Sequence, residues 1–419
     1  MPSSRRVLRR APLVLVTIPL LLTACGRGTT AAGDGDPGIT DDSIMFGTTT
    51  SLSGPTSAYA PLPMGIQSCL AEVNDKGGVT MGDGKKRKVE FTMLDDAYQP
   101  SRAVQNAKKL VEQDKVFGVL NSIGTAVNGA IYPYLNEQKT PQIFISSGAT
   151  KWGASPDTWP WTIGYQPAYA TETAVYVEHM KQSKPGAKVA ILYQNDDLGK
   201  DYLNAFKKLS QDSGLQLVGE ESYETSDASV DSQVVKLLQG KPDFLLAATT
   251  PKFGAQAIKK KADLGADTVI YLNNISAGVE STLQPAGLDA SKGVITAGYL
   301  KDPTDPRWSG DEGMKHYFES AKKYGKFDVT SVWGVNGYAI CDTLVKVLEQ
   351  TKSPTRQAFM DAVRAMDFDN PYLAPGLKVK TGAGDAFPIE TLQLQEFDGK
   401  NWRMLGEPIS YEGKTPKLS

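Results

Sequence analysis

Short β-branched runs take turns with amphipathic helical stripes along most of this chain, and that alternation narrows its fold more than any other feature. Residues 44–49, 89–94, 116–120 and 142–145 read as strands. Between them Ile66, Cys69, Leu70 and Val73 fall at i, i+3, i+4 and i+7, and Ala103, Ala107, Leu110 and Val111 form a second apolar stripe. Gly77-Gly78 stops the first helix. A second block repeats the pattern, with strands at 188–193, 216–222, 243–247 and 268–272 and helices at 168–181, 200–213 and 251–264. Strand and helix in strict alternation predict mostly parallel sheets covered on both faces, here as two doubly wound, Rossmann-like α/β lobes in series. Further on, helices are expected at 331–350 and 355–365, and β segments at 377–380 and 391–397.

The first residues have another character. Arg5, Arg6, Arg9 and Arg10 precede a short apolar stretch, 11–22, that is too brief to span a bilayer. It ends in Leu22-Thr23-Ala24-Cys25, which resembles the bacterial lipobox. The expectation is a signal at 1–24, lipid on Cys25, and attachment to the outer face of the cell membrane. Ser4-Arg5-Arg6 leaves both the general and the twin-arginine export routes open. Residues 25–38, rich in Gly, Thr, Ala and Asp, read as a flexible tether.

Composition removes several function classes. Without residues 1–24 the chain keeps 41 basic and 47 acidic side chains, a formal charge of −6, so a nucleic-acid partner is not expected. Two histidines and no Cys-x-x-Cys pair leave no material for a zinc site or a histidine-dependent nucleophile; no metal and no cofactor are expected. Once Cys25 carries lipid, Cys69 and Cys341 either pair in an oxidising compartment or lie separately buried. Gly382-Ala383-Gly384 has Phe387 where a dinucleotide fingerprint needs glycine, and Gly82-Asp83-Gly84-Lys85 lacks phosphate-loop spacing. The pair Asp95-Asp96 ends a strand, so its carboxylates point to opposite faces, and Asp96 is expected as a solvated helix cap.

Three strands of the first block run into loops of hydroxyl residues and glycine: 51–57 with Ser53, 121–125 with Ser122, Gly124 and Thr125, and 146–150 with Gly148, Ala149 and Thr150. In an open parallel sheet such loops gather at the carboxyl edge, where ligands bind. The second leads into a helix near Thr125 whose free N–H groups would face an anion, which makes a carboxylate clamp.

Several segments carry a family resemblance. These are Thr49-Thr50-Ser51-Leu52-Ser53-Gly54-Pro55, Glu72-Val73-Asn74-Asp75-Lys76-Gly77-Gly78-Val79, Leu94-Asp95-Asp96-Ala97-Tyr98-Gln99-Pro100, Pro141 through Thr150, and Val189-Ala190-Ile191-Leu192-Tyr193 followed by Asp197-Leu198-Gly199. In that order, over nearly the whole chain beyond the signal, they resemble type I periplasmic binding proteins of the leucine/isoleucine/valine-binding group, the solute-binding subunits of ABC importers. The resemblance implies a Venus flytrap of two lobes with a three-crossing hinge near 162–166, 296–300 and 373–388. Lobe one would be 39–162 with 299–373, and lobe two 163–298 with 374–419. It implies ligand contacts at Ser122, Gly124, Gly148 and Thr150 in lobe one. In lobe two the family's tyrosine and acidic positions are occupied by Leu198 and Asn274, with Thr249 or Thr250 at a further contact. Buried ammonium without a carboxylate loses several kcal/mol of solvation, on the order of an unpaired buried charge. An amide, a urea-like compound or a carboxylate therefore suits these positions at least as well as an amino acid. Tyr59, Trp159, Trp161 and Tyr165 are candidates to stack on the ligand.

The resemblance implies a monomer that delivers its ligand to a membrane permease and its ATPase. A sensory module of the same fold is the first alternative; an anchored α/β enzyme is the second and lacks a nucleophile, base or metal cluster in the sequence.

Overall fold

The structure, a computed structural model, describes residues 36–418. The signal, Cys25 and most of the expected tether lie outside the described residues. The last three tether residues are anchored: Asp36 bonds to the Pro354 carbonyl and accepts from the Arg356 N–H, and Gly38 abuts Phe117.

Two sheets carry the fold. The first contains β1 (Ser43–Thr50), β2 (Val79–Thr80), β3 (Lys86–Asp95), β4 (Gly118–Leu120), β5 (Gln142–Ile145) and β6 (Thr162–Gly164) in the order β2-β3-β1-β4-β5-β6. All its pairings are parallel except β2 with β3. The second contains β7 (Lys188–Gln194), β8 (Gln216–Tyr223), β9 (Phe244–Ala248), β10 (Val269–Leu272) and β11 (Ile295–Gly298), joined by late antiparallel strands. A small hairpin of β12 (Asp367–Asp369) and β13 (Lys378–Lys380) stands apart. After it, β14 (Thr391–Phe397) pairs with β11, and β15 (Trp402–Met404) and β16 (Ile409–Ser410) pair with β14.

Helices join the parallel strands. In the first half these are α1 (Pro61–Asp75), α2 (Pro100–Lys108), α3 (Thr125–Glu137) and the short α4 (Lys151–Ala154). In the second they are α5 (Tyr169–Ser183), α6 (Asp197–Leu209), α7 (Asp231–Gln239), α8 (Pro251–Asp263) and α9 (Gln284–Ala286). In the first sheet the chain passes from β1 to β3 on one side and then to β4 on the other. In the second it passes from β7 to β8 and then to β9. Each reversal opens a crevice at the carboxyl ends of the strands.

The chain beyond β11 is divided between the halves. It contributes α10 (Glu312–Tyr324), α11 (Val332–Gln350) and α12 (Arg356–Val363). Helix α11 lies against α1 so closely that a Cβ on Gly65 would stand 2.6 Å from the Gly334 carbonyl oxygen, and one on Gly337 would stand 2.3 Å from that of Leu62. A Cys69–Cys341 disulfide joins the two helices; the thiols left open by the sequence are paired.

One element is new and one expectation needs correction. Helix α10 was not foreseen. Asp96 is neither solvated nor a cap: it is fully buried, accepts from Thr49 Oγ1 at 2.8 Å and the Tyr98 N–H at 2.8 Å, and α2 has no side-chain cap. Its burial pushes the carboxyl up. The reason is the loop after β1, which folds over the strand end and draws the carboxylate inward. Asp95 points the other way and accepts from the N–H groups of Leu52 and Ser53 and from Ser53 Oγ. The two carboxylates thus brace the same loop from opposite sides.

Candidate functional site

The loops at the carboxyl ends of the two sheets meet around a narrow, partly open cleft. Tyr59 after β1, Tyr98 after β3, Ile123 and Gly124 after β4, and Ser146 after β5 supply the first wall. Gln166 and Tyr169, Leu198 after β7, Thr250 after β9 and Ile275 after β10 supply the second, and Trp333 at the start of α11 closes one end. No acidic or basic side chain lines this space. Buried Gln166 Nε2, Thr250 Oγ1 and Trp333 Nε1 have no hydrogen-bond partner among the described residues. Buried polar groups are ordinarily paired, so this trio is available to a guest.

Tyr98 is held in the left-handed region at φ 61°, a costly conformation for a bulky residue. Hydrogen bonds from the neighbouring backbone to Asp95 and Asp96 hold it there. Its ring covers Gly124, the residue before α3, where an added Cβ would stand 2.4 Å from the ring. Gly124 itself has φ 102°, and α3 has no side-chain cap. The first-turn N–H groups are therefore not used by a capping side chain.

Polar contacts cross the gap around the cavity. Tyr59 donates to the Ile275 carbonyl at 3.0 Å and Tyr98 to Asp196 Oδ2 at 3.0 Å. Thr150 donates through its N–H and hydroxyl to Asp201 at 2.8 and 3.0 Å, with Lys151 and Asp197 paired beside them at 2.9 Å. Ser331 donates to Glu280 at 2.8 Å. Burial pushes Asp201 up to about 6 and Glu280 up to about 7.

Of the residues singled out in the sequence, Tyr59, Gly124, Leu198 and Thr250 line the cavity. The others do not. Ser53 is an exposed partner of Asp95, Ser122 Oγ faces Thr48 Oγ1 at 3.5 Å, and Thr125 bonds to Ser147 at 2.7 Å. Gly148 is covered by the Tyr169 ring; Ala149 and Thr150 border an outer groove with Asp201. Thr249 turns to Ser276, and its neighbour Thr250 takes the cavity position. Asn274 is drawn to Glu172, which accepts from its N–H at 2.7 Å and from its Nδ2, and it borders a neighbouring cavity. Glu172 also accepts from Tyr176 and Tyr202, and burial pushes it up to about 7. Trp159 packs edge-on against Tyr132 and Tyr165 against Phe144, while Trp161 packs against the main core; none of the three reaches the cavity.

Among the described residues one acidic trio, Asp385, Glu390 and Glu412, is close enough to hold a cation. Glu390 already accepts from Gly413, Thr415 and the Thr415 hydroxyl, and Lys380 pairs with Glu412. This trio lines neither of the cavities described here.

Two doubly wound sheets whose strand ends border a cleft define a ligand-binding protein of the two-lobed α/β type. A family profile described as "Periplasmic binding protein" matches residues 43–401, and the chain belongs to that family. Membership implies an extracytoplasmic location, and no described helix is long and apolar enough to cross a membrane. The Leu/Ile/Val-binding protein homolog 7 of Brucella abortus (strain 2308) is 23% identical over 359 residues, spanning 80% of this chain and 84% of its own. A branched chain amino acid ABC transporter protein from Thermus thermophilus, solved with bound valine, superposes at TM-score 0.79 with 19% identity, over 89% of this chain and 97% of that one. A fatty acid ABC transporter substrate-binding protein from Thermomonospora curvata superposes at 0.72 with 21% identity, over 92% and 98%. The fold is that of type I periplasmic binding proteins.

Proposed function

We propose that this protein is the solute-binding subunit of an ABC importer, anchored outside the cell through lipid on Cys25, and that it closes two lobes over a small molecule for delivery to a permease. The observation that carries the reading is the cleft between the carboxyl ends of both sheets, with Gln166, Thr250 and Trp333, unpartnered among the described residues, in its wall. Closure draws on contacts between the halves, such as Tyr59 with Ile275 and Thr150 with Asp201. The protein binds and releases its ligand unchanged.

The wall also restricts the ligand. Aromatic and aliphatic side chains favour an apolar body, while the indole N–H and the carboxamide favour acceptor oxygens. An α-ammonium group would find no carboxylate there. The reading is therefore a small amide, urea-like compound or carboxylate. A melting-temperature screen of amino acids, amides, ureas and short carboxylic acids, followed by calorimetry, tests it. The expected result is one chemical class bound with submillimolar affinity; silence across all four, or turnover of the guest, would overturn the reading. Metabolic labelling with a radioactive fatty acid tests the anchor, and label retained by Cys25→Ala would remove that part.

A further inference from the structure

A second small, partly open cavity shares Trp333 with the first and has the opposite chemistry. Asn274, Tyr299, Asp302, Gln395 and Trp402 complete its principal walls. The orientation of the Asn274 amide is fixed, because Nδ2 donates to Glu172. Its Oδ1 is then an acceptor, and that atom is buried without a partner. Asp302 is only 8% exposed and accepts at Oδ1 from the Thr304 N–H and hydroxyl at 2.8 and 2.6 Å. Among the described residues no basic side chain pairs with it. Lys301, next in the chain, turns to Asp311 and the Pro371 carbonyl, and Arg307 turns to Asp305 and the Trp402 carbonyl. A buried carboxylate without a counter-ion is costly, and here burial pushes its carboxyl up.

The surroundings identify what would relieve that cost. Tyr299, Trp333 and Trp402 are all nearly fully buried and line the same cavity as Asp302, and aromatic walls beside a carboxylate suit an organic cation. A metal ion would want several hard oxygen ligands, and one carboxylate, one amide oxygen and three rings are a poor set for it.

We propose that this second cavity binds a small organic ammonium ion, with Asp302 as counter-ion, Asn274 Oδ1 as acceptor and the three rings as walls. The proposal does not depend on what fills the first cavity. Melting-temperature and calorimetric titrations of the purified protein with methylammonium, tetramethylammonium and choline test it, at constant ionic strength against sodium and potassium chloride. At least one ammonium ion should bind saturably, and 3,3-dimethylbutan-1-ol, the uncharged isostere of choline, should bind at least tenfold more weakly than choline if choline is the ion bound. Asp302→Asn should weaken binding at least tenfold. Trp402→Phe, which keeps the packing on Phe397, should weaken it about threefold and decides the matter if Asp302→Asn does not fold. No response to any ammonium ion, an equal response to potassium, equal binding of the isostere, or unchanged affinity in the folded variant would each overturn the proposal.

Discussion

The Asp201 carboxylate takes both the N–H and the hydroxyl of Thr150, across the gap between the two halves. These are donors that the family resemblance assigns to a ligand carboxylate; here a protein carboxylate holds them. Charge-assisted hydrogen bonds each contribute about 1.5–3 kcal/mol. Asp201→Ala should therefore shift the molecule toward an open form. The expected outcome is a larger radius of gyration in small-angle scattering and about a tenfold loss of affinity for the ligand found by screening. A variant that scatters and binds like the parent would show the contact to be energetically idle.

Stability should rise as the solution is acidified from pH 7.5 to 5.5. Burial raises Asp201 to about 6 and Glu172 and Glu280 to about 7. A carboxyl with a raised folded-state pKa contributes stability that is fully present below its ordinary pKa, and that is lost as pH climbs through the raised value. All three act in this direction across the window. His179, lowered by burial, opposes them over the same range, but it is one half-buried group. Glu72 acts in more acid solution. Burial works against its ionisation, yet hydrogen bonds from Lys76, Ser320 and His316 hold it down to about 2, and its contribution is lost below pH 4.5. The melting temperature should be a few degrees higher at pH 5.5 than at 7.5, with a smaller difference in Glu172→Gln. A melting temperature that falls over that interval would contradict the assignment.

Reduction should cost the protein substantially. The Cys69–Cys341 bond closes a loop over a sequence separation of 272 and ties α11 to α1. Disulfides over long loops stabilise by about 3–5 kcal/mol, chiefly through the unfolded chain. Cys69→Ser with Cys341→Ser should lower the urea midpoint accordingly, and a reductant should do the same to the parent while leaving the double variant unmoved. A double variant as stable as the parent would place the constraint elsewhere.

The parts of this molecule visible in the sequence are those that local periodicity encodes. The alternation of strands and helices marks both sheets, and the glycine and hydroxyl loops after β4 and β5 mark the strand ends that hold Gly124 and Ser146. What stayed hidden depends on distant partners. Trp333 stands at the start of a helix far along the chain from Tyr59, whose ring it meets edge-on, and nothing around it distinguishes it from a core tryptophan. Thr249 and Thr250 are adjacent at a strand end, where neighbours point to opposite sides, so choosing between them needed the register. Asn274 is held by Glu172, 102 positions earlier. The clue to Glu172 was a lone acid among apolar and hydroxyl neighbours, Tyr169-Ala170-Thr171 before it and Thr173-Ala174-Val175 after it.

Gly124 is the position where a single methyl group should separate fold from binding. Its φ of 102° is strained for any L-residue, and an added Cβ would stand 2.4 Å from the Tyr98 ring. Tyr98 cannot yield easily, since its own backbone is held at φ 61° and its hydroxyl is engaged by Asp196 and Gln194. In Gly124→Ala the ring must move into the cavity or the loop must unwind from α3. Either displacement takes space from the guest and breaks a contact between the halves. We expect a loss of about 1–3 kcal/mol in stability, the range for strain at a special backbone position, with a protein that still unfolds in one transition. Ligand affinity should fall much further, by 100-fold or more. Unchanged affinity would mean that the guest does not sit against Gly124, and that the space beneath Tyr98 is a packing defect.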